Sequence, residues 1–352
     1  MARSVESRPP GGTPEDGQSG APIVADTTDI SPDDLAPAAP RSAVVRLAQL
    51  FWRALIAIAR DPRWLFGLVL VAMVVAAIFA PLIAPHDPLL YHPRSVAQPP
   101  NPTYLMGTDS AGRDVLSRVI YGAQISLAVG LISVLLGGVI GAVLGMLAGY
   151  AGGPIDRVIG VFADVLLAFP ALILALALAA TLGASLGGVV IAIPLGFTTV
   201  HFPVNTVNLV IALAVVRIPI YTRLARAQTL QVRSLDYIMA ARSLGARTGS
   251  LLRRHVLPNI QSALLVQVTI SISFAILDES VLSFLGLGAP PPTPEWGSMI
   301  SEAQPFLING DPWMMLGPVL ALVLTVLSLN LFGDAVRDKL DPRSADRGVR
   351  AK

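Results

Sequence analysis

The chain has 352 residues, 53% hydrophobic and only 14% charged, with a mean hydropathy of +0.66. That balance excludes an ordinary soluble domain and predicts a polytopic membrane protein. The formal net charge is +2, there is no cysteine, and there are only four histidines; a disulfide framework and a thiolate metal site are excluded, and a metalloenzyme is not expected.

Residues 1–40 are rich in Pro, Gly, Asp and Ser without an apolar run, which predicts a disordered tail and not a signal peptide. Residues 41–63 form a basic segment carrying Arg41, Arg46, Arg53, Arg60 and Arg63. Segment 64–122 holds a first span, Trp64 to Ala84, and a loop. Within that loop, GTDSAGRDVLSRVIYGAQIS predicts a short interfacial helix capped at Asp109 or Ser110, with a plain surface loop as the alternative. Val115, Leu116, Val119 and Ile120 would share its apolar face, and Asp114 and Arg118 would pair across one turn.

The core, 123–335, contains further uncharged blocks: Ala123 to Ile155, Val165 to Val216, Gln261 to Leu277 continuing past two acids to Ala289, and Trp313 to Gly333. Each is long enough to cross ~30 Å of hydrocarbon at 1.5 Å per residue. Gly137, Gly141, Gly145 and Gly149 recur every fourth residue and predict a smooth ridge that another helix approaches closely. The block from Val165 exceeds two spans of ~20 residues. Its surplus falls at Gly188 to Thr206, where Pro194, Gly196 and Pro203 predict a loop or re-entrant hairpin on the outer side.

Eight arginines lie between Arg217 and Arg254, and six basic residues lie between Arg337 and Lys352 in the tail 336–352. By the positive-inside rule these regions and the 41–63 segment face the cytoplasm. Ala289 to Pro312 carries three acids and no Lys or Arg, and Pro85 to Gly122 balances three Arg against three Asp; both face outward. The parity gives six transmembrane helices with the N and C termini cytoplasmic.

Asp278 and Glu279 interrupt an apolar block, so they are candidate residues of a translocation path or hydrogen-bonding partners of a neighbouring helix. Asp164 falls at the cytoplasmic boundary. Gly183-Ala-Ser185-Leu-Gly187 matches a nucleophile-elbow pattern but has no strand before it and no base in the expected order, so hydrolytic chemistry is not expected and no catalytic residue is assigned. The only lysines are Lys339 and Lys352, so no phosphate-binding G-x-x-x-x-G-K-[ST] loop exists and any ATP must be bound by another chain.

Between the last apolar blocks lies YIMAARSLGARTGSLLRRHVLPN, within the loop 222–260. Tyr237, Ile238, Ala241 and Leu244 recur at helical spacing, Gly245 stands where a helix C-terminus favours a left-handed residue, and a second short helix ends at Pro258. Two short helices joined at a glycine make a compact knob. A basic loop that fixes topology and touches anionic lipid is the simpler reading of the charge alone.

These residues resemble the cytoplasmic "EAA" loop of ABC importer permeases, E-A-A-x-x-x-G followed about a dozen residues later by L-P. Ala240, Ala241, Gly245, Leu257 and Pro258 match, and Met239 occupies the Glu position. FAPLIAPHDP, GTDSAGRDVLSRVIYGAQISL, DVLLAFPALILALAL, ESVLSFLGLGAPPPTPEWG and NLFGDAVRDKLDPR extend the likeness, from about Leu65 to Arg343, to the C-type permease of dipeptide/oligopeptide ABC importers. The resemblance implies an all-α type I importer fold in the bacterial cytoplasmic membrane, paired with a second, related permease. It implies two cytoplasmic ATPase subunits that bind ATP and Mg2+, and an extracytoplasmic substrate-binding protein. This chain would itself hold no cofactor and contact no nucleic acid; the helix before Gly245 would dock on one ATPase. Relatives of this type also carry nickel complexes and other small solutes, and six spans with a buried carboxylate would also suit a proton-coupled secondary transporter.

Overall fold

The computed structural model describes residues 62–185, 191–195 and 198–340. The tail 1–40, the stretch Arg41 to Arg60, Gly187 and the tail beyond Leu340 lie outside the described residues. What is described is an all-helical bundle, as expected, with one two-stranded hairpin in a connecting segment.

Helix α1 spans Arg63–Ile78 and is followed by a single turn at Ala80–Ile83. A loop leads to α2, Val115–Ala151, which at 37 residues is about 55 Å long and exceeds the ~30 Å hydrocarbon layer. The expected separate interfacial helix is absent, because its opening residues are used otherwise. Asp109 Oδ1 accepts the backbone N–H of Ala111 at 2.8 Å and of Arg113 at 2.9 Å, closing a turn. Asp114 then caps α2 by accepting the Ser117 N–H at 3.0 Å, and the helix runs on unbroken through the glycine ridge.

Helices α3, Gly153–Leu167, and α4, Ala171–Ser185, meet at 92°. Pro170 sits at the break; its ring disfavours the helical conformation at Phe169. The surplus after α4 folds as an antiparallel hairpin, β1 Ile191–Leu195 and β2 Thr198–Phe202, with Ile191 opposite Phe202 and Leu195 opposite Thr198. Its β-branched residues favour extended backbone, and Phe202 anchors it by packing with Ile125, Val129 and Leu209.

Helix α5, Val204–Arg233, lies along α2. A Cβ on Gly137, Gly141, Gly145 or Gly149 would collide with the carbonyls of Ala214, Ile218, Thr222 and Arg226 respectively. The ridge therefore does what its spacing predicts: two backbones touch along four turns, where any side chain would force them apart.

After α5 come α6, Asp236–Ser243, a turn at Thr248–Leu251, a π-helical turn at Leu252–Val256 and α7, Leu257–Phe284. The second short helix does not end at Pro258. Pro258 lies in the first turn of α7, and the helical path is continuous from Thr248 to Phe284. Proline has no N–H to bond back one turn, and the widened π turn just before it accommodates the loss. Helices α8, Trp296–Ile308, and α9, Trp313–Leu340, complete the bundle.

Among the described residues, four helical stretches are long and apolar enough to cross a membrane: Val115–Ala151, Asn205–Arg233, Thr248–Phe284 and Trp313–Asp338. The bent pair Gly153–Leu167 and Ala171–Leu182 makes a fifth if counted as one span, and Arg63–Ile78 is a shorter apolar helix. Helix α1 lies against α9 through Gly67 on Phe332, a Trp64–Phe332 edge-to-face pair at 5.4 Å and an Arg63–Asp338 ion pair at 2.7 Å. The last contact brings the start of α1 to the same end of the bundle as the end of α9. That end also carries the end of α2, the end of α5 and the start of α7, and is called the basic end below; the 84–114 and 285–312 segments lie at the opposite, loop end.

Candidate functional site

Two assemblies carry the candidate residues. The first is the knob at the basic end. Helix α6 closes with a Schellman arrangement: the Ala246 N–H bonds Ala241 O at 3.2 Å, the Gly245 N–H bonds Arg242 O at 3.0 Å, and Gly245 takes φ +83°. A left-handed residue at that point reverses the chain within a few residues, and only glycine adopts it without strain. One side chain of α6, Ile238, is buried, at 1% exposure. It enters a cluster with Val256, Ile260, Ala225, Val232, Ala142 and Met146, so the knob rests on α7, α5 and α2 together.

The remaining face of α6 is turned outward. Met239 is 51% and Leu244 89% exposed, and Ala240, Gly245, Leu257 and Pro258 are also exposed, with Ala241 half-buried. Tyr237 Oη accepts from Asn259 Nδ2 at 3.1 Å, and its ring lies 6.2 Å from that of His255. Helix α6 thus presents exposed Met239 and Leu244 beside exposed Arg242 and Arg247, and the second short helix of the expected knob is the start of the continuous path from Thr248 to Phe284. Of the 222–260 segment, residues up to Arg233 still belong to α5, so the protruding part is shorter than expected.

Charges just inside this end are paired between α3 and α5. Arg226 grips both oxygens of Asp156, and Arg223 meets Asp164 at 2.6 Å. The Asp164 side chain is 64% exposed. Arg233 donates to the carbonyls of Gly149 and Tyr150 at 3.1 and 2.9 Å, satisfying the free end of α2.

The second assembly lies among the helices. Asp278 and Glu279 are neighbours in sequence, yet the helix turns them to different surroundings. Glu279 is completely buried and accepts from Ser126 of α2 at 3.2 Å and from Ser280 at 3.1 Å. Asp278 pairs with Arg217 of α5. Arg217 was expected to open the cytoplasmic loop, and that expectation is corrected. It lies about midway along α5 and is 6% exposed, because Asp278 supplies the counter-charge that makes its burial tolerable. Its signal in the sequence was the apolar residues on both sides, Val-Val before and Ile-Pro-Ile-Tyr after.

At the loop end, Arg118 does not pair with Asp114. It is fully buried and meets Asp109 at 3.2 Å, Glu302 of α8 at 3.5 Å and the Pro292 carbonyl at 3.1 Å. Arg113 joins the same two acids at 2.7 and 3.0 Å. Nearby, the buried acid Glu295 accepts from Ser283 at 2.7 Å and from the Ala289 N–H at 2.6 Å, and the adjacent Trp296 donates its indole N–H to Val119 O at 3.0 Å. Glu295 and Glu302 escape sequence reasoning because in sequence they are only the acids of a loop; their partners are set by how α8 folds back. Ser185 is the last residue of α4 and follows a helix, not a strand, so the nucleophile-elbow context is absent.

A family model described as binding-protein-dependent transport system inner membrane component matches residues 141–346. The di/tripeptide transport system permease protein DppC of Pseudomonas aeruginosa (strain UCBPP-PA14) is 40% identical over 300 residues, 83% of this chain and 91% of that one. The dipeptide transport system permease protein DppC of Alkalihalophilus pseudofirmus is 37% identical over 278 residues, 79% of this chain and 84% of that one. The glutathione transport system permease protein GsiD of Escherichia coli O1:K1 / APEC is 42% identical over 278 residues, 79% of this chain and 85% of that one. Among solved structures, a chain of the MetNI methionine ABC transporter in an inward facing conformation aligns with TM-score 0.50 and 19% identity, over 63% of this chain and 96% of that one; this likeness concerns the fold alone.

Proposed function

The chain belongs to the family of binding-protein-dependent transport system inner membrane components, and from that premise we propose that it forms one wall of an ATP-driven importer of short peptides. The knob carries this reading. A loop that merely set topology would need charge alone, whereas α6 is rigidly closed at Gly245 and holds Met239 and Leu244 exposed beyond the bundle. An exposed apolar tip of this kind suits a protein cleft.

In this reading the knob docks on one of two cytoplasmic ATPase subunits, which bind ATP and Mg2+. Met239, Ala240, Ala241 and Gly245 form the docking helix, while Leu257 and Pro258 begin the span that it moves. Ile238 passes the motion on, because it packs against Val256 and Ile260 at the start of α7 and against Ala225 and Val232 of α5. Closely packed side chains transmit displacement with little give. ATP-driven closure favours the outward-open state, and hydrolysis restores the inward-open one.

Six spans follow if α1, α2, the bent α3–α4 pair, α5, α7 and α9 each cross once, with both termini and the knob cytoplasmic. The arginines of the basic end support that orientation. A second, related permease closes the path and a binding protein delivers cargo from outside, in the cytoplasmic membrane of a bacterium. Peptide cargo is supported by the relatives, whose names specify dipeptides, di- and tripeptides, or glutathione.

The test is reconstitution with the co-purifying subunits, followed by uptake of dipeptides, tripeptides and nickel chelates. ATP-dependent accumulation of peptides is expected. Accumulation of chelates alone would move the cargo class to metal complexes, and uptake driven by a proton gradient without ATP would overturn the importer reading.

A further inference from the structure

Arg217 and Asp278 form an ion pair well inside the bundle. At 1.5 Å per residue, Arg217 stands about 9 Å deeper along α5 than Arg223 and about 24 Å deeper than Arg233. Its side chain is 7% exposed and that of Asp278 is 20% exposed. The Arg217 Nε has no hydrogen-bond partner among the described residues.

The pair opens onto a particular face of α7. Phe274, Leu277, Val281 and Leu285 are 55%, 37%, 43% and 58% exposed, and at helical spacing they flank Asp278 in one stripe uncovered by this chain. The stripe is otherwise apolar, and Asp278 is its one charged member, where a carboxylate left against hydrocarbon would be costly. Adhesion does not explain the pair. Tyr221, Val134 and Ala275 already pack α5, α2 and α7 together, and a buried ion pair is a poor source of stability beside apolar residues of similar volume. Glu279 does not compete for the arginine, being turned inward onto Ser126 and Ser280.

Resting on the peptide-importer reading above, we propose that Arg217 and Asp278 form a charge-exchange site for the two termini of a zwitterionic short peptide. The α-ammonium group takes Asp278, the α-carboxylate takes Arg217, and the resident pair opens while cargo passes. The exchange is electrically closed: one internal pair becomes two cargo pairs, and no net charge appears in the low-dielectric interior. A guanidinium suits the task, because its planar fork bonds a carboxylate through two N–H groups and its Nε is already free of other partners. A dipeptide spans about 7 Å when extended, so the two side chains must part as α5 and α7 move. A peptide with a blocked terminus would open the pair and leave one charge without a partner, which is the basis for discrimination.

The test uses the complete transporter, with its second permease, ATPases and binding protein, in proteoliposomes. Uptake of alanyl-alanine is compared with that of its N-acetyl and C-amide derivatives, and binding-protein affinity for each is measured separately and divided out. A crossed pattern is expected. Asp278→Asn should improve the N-acetyl peptide relative to the free one at least tenfold with little gain for the amide, and Arg217→Gln should do the reverse. The double variant Arg217→Gln/Asp278→Asn removes both charges together, so neither is left buried without its partner; it guards against misfolding of either single variant, and it should lose discrimination at both termini. Wild-type uptake ratios in the double variant would overturn the site and leave peptide transport intact. Wild-type complexes that carry none of the three peptides would overturn the peptide reading, and this site with it.

Discussion

Arg118 has no exposed surface and answers two acids, Asp109 and Glu302, and two proline carbonyls, those of Pro88 and Pro292. Removing it leaves Asp109 and Glu302 to Arg113 alone. Arg118→Ala is expected to cost about 3 kcal/mol, read as a lower melting temperature of the detergent-purified chain. An unchanged melting temperature would mean that Arg113 carries the cluster unaided. Gly245 tests the opposite end. Proline there can neither reach φ +83° nor donate to Arg242 O. Gly245→Pro should abolish ATP-driven uptake with membrane insertion intact, and wild-type uptake would remove the docking assignment. At this scale Gly245 was legible from its place after a helical repeat. Arg118 was misread, since an i,i+4 spacing to Asp114 says nothing about the acids that a distant helix brings.

Among the elements, α2 and α5 depend on the ridge. A Cβ on Gly141 would press on the Ile218 carbonyl and the Tyr221 side chain, whereas one on Gly160 of α3 would meet nothing within 4 Å. Gly141→Ala should therefore destabilise by about 1–3 kcal/mol through overpacking. Gly160→Ala should be neutral or stabilising by up to about 1 kcal/mol, through helix propensity. Thermal melts of the two variants decide it; equal shifts would show that the ridge is not tightly closed. The four-residue glycine period announced this contact, but its partner had no matching signal, because α5 contributes backbone carbonyls, and every residue has one. The loop after α4 was legible through its prolines, and its strand pairing was not, since pairing depends on which segment Phe202 can anchor against.

The whole molecule is organised by charge, with a basic end formed by α1, α5, α6, α7 and α9 and a loop end closed by the Arg113–Arg118 cluster. The absence of native cysteine makes orientation directly testable. A cysteine at exposed Asn309 should react with an impermeant maleimide on intact cells, and one at exposed Ala246 only after permeabilisation. The reverse pattern would invert the topology and with it the placement of the knob.

Composition, uncharged runs and arginine distribution by themselves determined that this is a multi-pass helical protein with a basic side. These are properties of transfer between water and lipid, which depend on each residue with little regard to its neighbours. The helical repeat ending at Gly245 likewise placed the end of α6, because a helix and its glycine stop are local, whereas Pro258 lies in the first turn of α7 and ends no helix. Only the tertiary structure decided that Arg217 belongs to the interior, that Asp278 and Glu279 have different surroundings, and that Glu302 holds two arginines. A buried charge is allowed by its partner; the partner of Arg217 lies 61 positions away, and Glu302, one of the two acids on Arg118, lies 184 positions away.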